Sequence, residues 1–179
     1  AEIELVGALS RETRLKKALQ PVMDSYDYIF IDSPPSLGLL TLNALVASNS
    51  IIIPIQCEFY ALEGVSQLLQ TINLIRDGIN QNLQIEGVLL TMADFRTNLT
   101  TEVIGEIKKY FTSKVYETVI PRNIKLSEAP SFGKPILLYD HLSIGAKKYT
   151  DFAQEFLKNN EKDLQEKSPD SNSQAKMNV

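Results

Sequence analysis

The chain has 179 residues, 44% hydrophobic and 22% charged, with a formal net charge of −4. That size and balance suit one soluble domain with a proper core and exclude a disordered or fibrous chain. Apolar runs such as Ile51-Ile52-Ile53-Pro54-Ile55 fall far short of the ~20 residues that span a bilayer.

Its single cysteine, Cys57, leaves no internal disulfide framework, and one cysteine with one histidine leaves no Cys/His zinc site. A net-acidic chain meets nucleic acid only through a local basic patch. Residues 1–9 carry two Glu and no basic region, so no secretory signal is read and a cytosolic compartment is expected. The chain begins at Ala1 rather than Met, which leaves room for an upstream segment.

In chain order, Ser10 is a fair N-cap for a first helix carrying Leu15, Ala18 and Leu19 before Pro21. Residues 27–32 read as a buried strand ending in Asp32, stopped by Pro34 and Pro35. Residues 50–55 form a second strand, rich in β-branched side chains. A helix follows, with Leu62, Val65, Leu68, Leu69, Ile72 and Ile75 at three- and four-residue spacing. Residues 85–92 make a third strand, Val103 to Phe111 a helix, and 115–120 a fourth strand stopped by Pro121. A last helix puts Tyr149, Phe152, Ala153, Phe156 and Leu157 on one stripe. Residues 159–179 hold only Leu164, Met177 and Val179 as large apolar residues, so a solvated, disordered polar tail is expected after a domain of residues 1–158.

Near-continuous apolar strands joined by helices predict a doubly wound, mostly parallel α/β sheet with helices on both faces. Ligands of such sheets sit beyond the carboxyl ends of the strands. The informative loops are therefore Asp32–Gly38, Gln56–Gly64, Thr91–Asn98 and Pro121–Ala129. Tyr28-Ile29-Phe30-Ile31-Asp32 delivers a carboxylate to the sheet edge, as a strand anchoring nucleotide-bound magnesium does; the competing reading is an Asp that caps the turn before Pro34. Cys57 is read as a packed thiol rather than a nucleophile, because His141 is distant in sequence, and His141 as a surface residue.

The string IDSPPSLGLLTLNAL resembles the Walker B and switch region of the ParA/Soj chromosome- and plasmid-partition ATPases. The blocks IPIQCEFYALEGVSQLL, IEGVLLTMADFRTNL and VIPRNIKLSEAPSFGKPILLYD agree with that family in order and spacing, so the resemblance runs through almost all of 1–158. It implies a P-loop NTPase fold, ATP and Mg²⁺ as cofactors, and Asp32 as the Walker B acid that holds magnesium through water. Pro34, Pro35, Ser36, Leu37 and Gly38 would form the switch segment facing the partner of an ATP-sandwich homodimer, with Glu58 and Tyr60 at the same interface. Thr91 and Met92 would border the adenine on one side, Pro121 and Arg122 on the other. Arg96 and Lys125 match positions that resemble the family's non-specific DNA-binding residues; the alternative for both is a solvated face. A ParB-type centromere-binding partner would stimulate turnover, in the cytoplasm and on the nucleoid, with no membrane contact.

The sequence departs from the family in one respect. No G-x-x-x-x-G-K-[ST] occurs in it, and Gly133-Lys134 is followed by Pro135. The chain therefore reads as the carboxyl-terminal portion of such an ATPase, incomplete at the N-terminus and inactive alone. The missing part would supply a strand beside the Asp32 strand, leaving an apolar sheet edge here. Two other readings stay open: a truncated, catalytically inactive interaction module, and a membrane-associated MinD-type division-site ATPase. The scattered charges of the tail give the second little support.

Overall fold

The computed structural model describes residues 7, 9–34, 36, 38–59 and 61–166. Three strands form its sheet: β1 (Ser50–Gln56), β2 (Gln84–Ala93) and β3 (Val115–Pro121), all parallel and in the order β1-β2-β3. Ile53 lies beside Val88, and Leu90 beside both Ile55 and Val119. The helices are α1 (Arg14–Leu19), α2 (Leu39–Ala47), α3 (Ala61–Gly78), α4 (Asn98–Phe111), α5 (Ile124–Glu128), α6 (Ile136–Tyr139) and α7 (Ile144–Glu166).

Alternation along the strands divides the core between two faces. Ile53, Ile55, Val88 and Leu90 pack with Val65, Ile72 and Ile75 of α3 and Val103, Ile107 and Phe111 of α4. Leu89, Tyr116 and Ile120 meet Phe156 of α7, with Ile52, Leu126 and Phe152 against them. The predicted doubly wound arrangement is therefore present, with α3 and α4 serving as the crossovers that parallel neighbours require. The start of α4 is fixed by Thr97, whose hydroxyl accepts from the Thr100 amide.

Gly87 shows how closely the second face is packed. A Cβ built there would lie 2.4 Å from Cε2 of Tyr116, whose ring is buried and meets Phe152 edge-on at 4.9 Å. Gly87→Ala is expected to cost about 1–3 kcal/mol by overpacking. Chemical denaturation measures it, and adding Tyr116→Leu should remove most of the penalty; additive losses would refute the steric explanation.

Three expectations require correction. Residues 27–32 do not join the sheet: no strand pairing involves them among the described residues, and Tyr28, Ile29 and Phe30 are exposed. Their apolar pattern is that of a strand, but the pattern makes a strand only where a neighbour supplies hydrogen bonds. Ser10 does not cap with its side chain. It sits at φ 50°, and its carbonyl accepts from the amide and hydroxyl of Thr13. The last helix continues to Glu166, past the expected start of the tail at Asn159. Asn160 anchors that extension by donating to Glu86 and to the Phe156 carbonyl, and residues 161–166 are mostly good helix formers that need no apolar face to propagate it. Residues 167–179 lie outside the described residues.

Candidate functional site

The carboxyl ends of the three strands bring together loops far apart in sequence. The Cys57 amide donates to the Thr91 carbonyl and the Arg122 amide to the Ala93 carbonyl, which knits the three strand ends side by side. Across them, the Arg122 guanidinium reaches Glu58 at 3.0 Å, an ion pair between residues that sequence spacing gave no reason to join. Both partners are about half exposed, so the pair contributes little stability and acts mainly to set loop positions.

Met92 lies between these loops and has φ 54°, one of three positive-φ residues other than glycine among the described residues. A long side chain rarely adopts that left-handed backbone, which costs of order 1 kcal/mol. The register slips between Leu90 and Ala93, so the turn of the backbone at Met92 coincides with a break in the β2–β3 ladder. Thr91 donates its hydroxyl to the Ile55 carbonyl at 3.3 Å. Thr91, Met92, Pro121 and Arg122, expected to flank one ligand, are thus neighbours at one sheet edge.

Asp32 closes the irregular segment that precedes α2. It is exposed and makes no hydrogen bond or ion pair among the described residues. The turn after it is held by Thr41, whose hydroxyl donates to the carbonyls of Pro34 (3.2 Å) and Ser36, and by the Ser36 amide on Pro34. Gly38 is the N-cap of α2. Pro35, Leu37 and Tyr60 lie outside the described residues.

The two candidate DNA-contacting cations already have acidic partners. Arg96 grips Asp94 with two nitrogens at 2.8 and 2.5 Å. The side-chain hydrogen bond from Arg96, then its backbone amide, holds the Asp94 carboxyl down to about 2. A depressed folded value means the pairing is complete above the ordinary carboxylate range and lost only as pH falls through about 2. Lys125 donates to Glu128 at 2.9 Å, which raises its ammonium above the usual value, and lies 5.8 Å from the Tyr139 ring centroid. Tyr139 donates to the same Glu128 oxygen. Burial pushes the Cys57 thiol up to about 11, which fits a packed cysteine, and His141 is exposed.

No group of three or more His, Cys, Asp or Glu side chains stands together among the described residues. A magnesium ion that keeps its waters and takes phosphate oxygens needs only one carboxylate, and Asp32 engages no partner among the described residues. The described residues thus offer an exposed carboxylate at Asp32 and, separately, a cluster of loops at the strand ends, and the sequence holds no glycine–lysine phosphate cradle.

This is the parallel α/β architecture of the P-loop NTPases of the ParA and MinD kind. A family described as an AAA domain matches residues 1–85. The sporulation initiation inhibitor protein Soj of Bacillus subtilis is 65% identical over 159 residues, which is 89% of this chain and 63% of that protein. The chromosome partitioning protein ParA of Myxococcus xanthus is 55% identical, over 88% of this chain and 56% of its own length. A crystal structure of cobyrinic acid a,c-diamide synthase from Mycobacterium smegmatis, with bound ADP and magnesium, superposes with a TM-score of 0.72 at 34% identity, over 89% of this chain and 58% of that one. The chain is strongly similar to the Soj/ParA partition ATPases over nearly nine tenths of its length, and it spans about three fifths of the length of the curated relatives it matches.

Proposed function

We propose that this chain is the Walker B-bearing part of a DNA-partition ATPase, acting in segregation of chromosome or plasmid copies. The observation that carries the reading is the 65% identity to Soj over nearly nine tenths of the chain, which takes in Asp32 and all three strand-end loops. In this reading Asp32 holds magnesium through water and orients the attacking water. Bound ATP with its magnesium supplies the scissile phosphoryl group. Thr91, Met92, Pro121 and Arg122 receive the base, and the positive-φ turn at Met92 shapes that wall.

Pro34 to Gly38, with Glu58 and Tyr60, face a second copy in an ATP-dependent homodimer. The Arg122–Glu58 pair couples the base-binding loop to that interface, so nucleotide binding and dimerisation report on one another. The dimer binds duplex DNA without sequence preference, on the nucleoid in the cytoplasm, and a ParB-type protein stimulates turnover. No described helix is long and apolar enough to cross a membrane.

Arg96 and Lys125 supply phosphate contacts by exchanging Asp94 and Glu128 for DNA. Arg96→Ala with Lys125→Ala, in the complete protein, is expected to weaken binding to arbitrary duplexes. It should also reduce the slope of log K against log salt by up to about 2. Fluorescence anisotropy at several salt concentrations reads both quantities, and an unchanged slope assigns the two residues to their acidic partners alone.

The reading as a whole is tested by nucleotide binding, ATP-dependent dimerisation and hydrolysis in the complete gene product. If that product carries no phosphate cradle and binds no nucleotide, the chain is instead an interaction module that keeps the fold without the chemistry. The sequence lacking G-x-x-x-x-G-K-[ST] is what favours that second reading.

A further inference from the structure

One short stretch carries positive charge that the rest of the molecule does not balance. The seven residues Arg11 to Lys17 hold four cations and a single acid, Glu12, in a chain whose formal net charge is −4. Glu12 is engaged by Arg11 at 3.1 Å. Arg14, Lys16 and Lys17 are exposed, and their side chains make no ion pair or hydrogen bond among the described residues. Arg96, Lys108, Arg122, Lys125 and Lys148, by contrast, each hold a carboxylate within 3.0 Å.

The packing of α1 explains why its cations stay free. It lies on α2, whose nine residues, Leu39–Ala47, contain no charged side chain. The Leu15 amide donates to Asn43 at 3.1 Å, and the Asn43 side-chain amide donates to the Arg11 carbonyl at 2.8 Å, so the backbone is pinned. Leu15 and Leu19 are half-buried, while Arg14, Lys16, Lys17 and Ala18 make the exposed face. Stability does not call for this arrangement. Lys16 and Lys17 in the last turn suit the helix dipole, but Arg14 opens the helix, where a cation opposes it. Arg14 and Lys17 are also three residues apart, so like charges repel across one turn.

We propose that α1 is a second nucleic-acid contact, in which Arg14 and Lys17, with Lys16 beside them, bind phosphates of duplex DNA without reading its bases. The exposed face of the helix holds no aromatic or large apolar group. It therefore has nothing to stack on a base, to insert into a membrane or to fill a pocket on a protein partner. Cations alone remain, and the charge-dense partner that rewards them is a phosphate backbone. Unlike Arg96 and Lys125, these side chains surrender no carboxylate on binding. Lys16 also stands at the rim of the cleft of about 990 Å³ that β1 lines with Ile51, Ile52 and Ile53. Arg14 and Lys17 do not border that cleft, so those two carry the test. The inference rests on the DNA-binding reading above and adds a surface to it.

In the complete protein, Arg14→Gln with Lys17→Gln should weaken binding to an arbitrary duplex by about fivefold or more. The slope of log K against log salt should fall by up to about 2. Glutamine is a good helix former and neither side chain has a described partner, so the thermal melt should not move. Arg14→Lys with Lys17→Arg keeps the charge and should bind as the parent does. Lys109→Gln with Lys114→Gln removes equal charge from exposed positions elsewhere and should leave the slope in place. A readout that needs no variant is lysine acetylation: bound duplex should protect Lys16 and Lys17 and leave Lys109 and Lys114 reactive. A parent that binds duplex, with the slope unchanged in the Arg14/Lys17 variant, overturns the inference and leaves the DNA-binding reading standing. An equal loss from the Lys109/Lys114 variant does the same, because the effect is then one of net charge. A parent that binds no duplex overturns both.

Discussion

Asp32→Ala in the complete protein is expected to lower magnesium-dependent ATP hydrolysis by about 10²–10³-fold, the range seen when one preorganised charge-handling group is removed. The fold should not register the change. Asp32 is exposed and engages no described partner, so its loss falls among surface substitutions worth ±0.5 kcal/mol or so. The turn that presents it depends instead on Thr41 and Ser36, which the substitution does not touch. Steady-state turnover with and without magnesium, beside thermal melts of both proteins, separates the two effects. Unchanged turnover removes Asp32 from the site, and a large fall in melting temperature makes it a structural residue. Asp32→Asn refines the answer: it keeps the shape and discards the charge, so an equal loss of rate assigns the role to the carboxylate.

The uneven legibility of the fold has physical causes. β1, β2 and β3 were readable because each is a β-branched or apolar run whose neighbours lie within the same chain. The helix stripes through Val65, Ile72 and Ile75, and through Val103, Ile107 and Phe111, were readable for the same reason: each faces strands that are present. Residues 27–32 have an equally strong local pattern and still form no strand here, because pairing is supplied from outside the segment. At the site, the neighbourhood of Thr91, Met92, Pro121 and Arg122 followed from the rule about strand ends. The Arg122–Glu58 pair did not, because nothing in a sequence matches a guanidinium to a carboxylate 64 residues away. The left-handed backbone of Met92 was hidden too, since no glycine or asparagine marks the turn. The acidic partners of Arg96 and Lys125 were within reach of inspection, at two and three residues' distance, and they qualify any estimate of positive charge made by counting lysines and arginines.

Removing the Asn80 side chain is expected to cost the described fold heavily for so few atoms. It is buried, and its amide nitrogen lies 2.9 Å from the Leu45 carbonyl, 3.4 Å from that of Val46 and 2.8 Å from that of Ser48. These are carbonyls of the last turn of α2 and of the residue just beyond it, groups that a helix cannot satisfy internally. The backbone amide of Asn80 donates to the Ile75 carbonyl near the end of α3, so the residue sits between the ends of two helices, its backbone holding α3 and its side chain holding α2 and the approach to β1. Asn80→Ala strands several buried acceptors, each costing about 1–3 kcal/mol when unpaired and unreached by water. A net loss of about 3 kcal/mol is expected, which for a chain of this size is a fall of roughly 6–12 °C in Tm. Asn123, the half-buried cap of the short α5, provides the comparison: its side chain accepts from the Lys125 amide, so Asn123→Ala should cost about 1 kcal/mol. Equal losses at the two positions would mean that water replaces Asn80 at the end of α2. A larger loss at Asn80, with faster exchange of the Ser48 and Ser50 amides, would confirm that a single buried amide sets the junction between α2, which follows the Asp32 turn, and the strand lining the cleft.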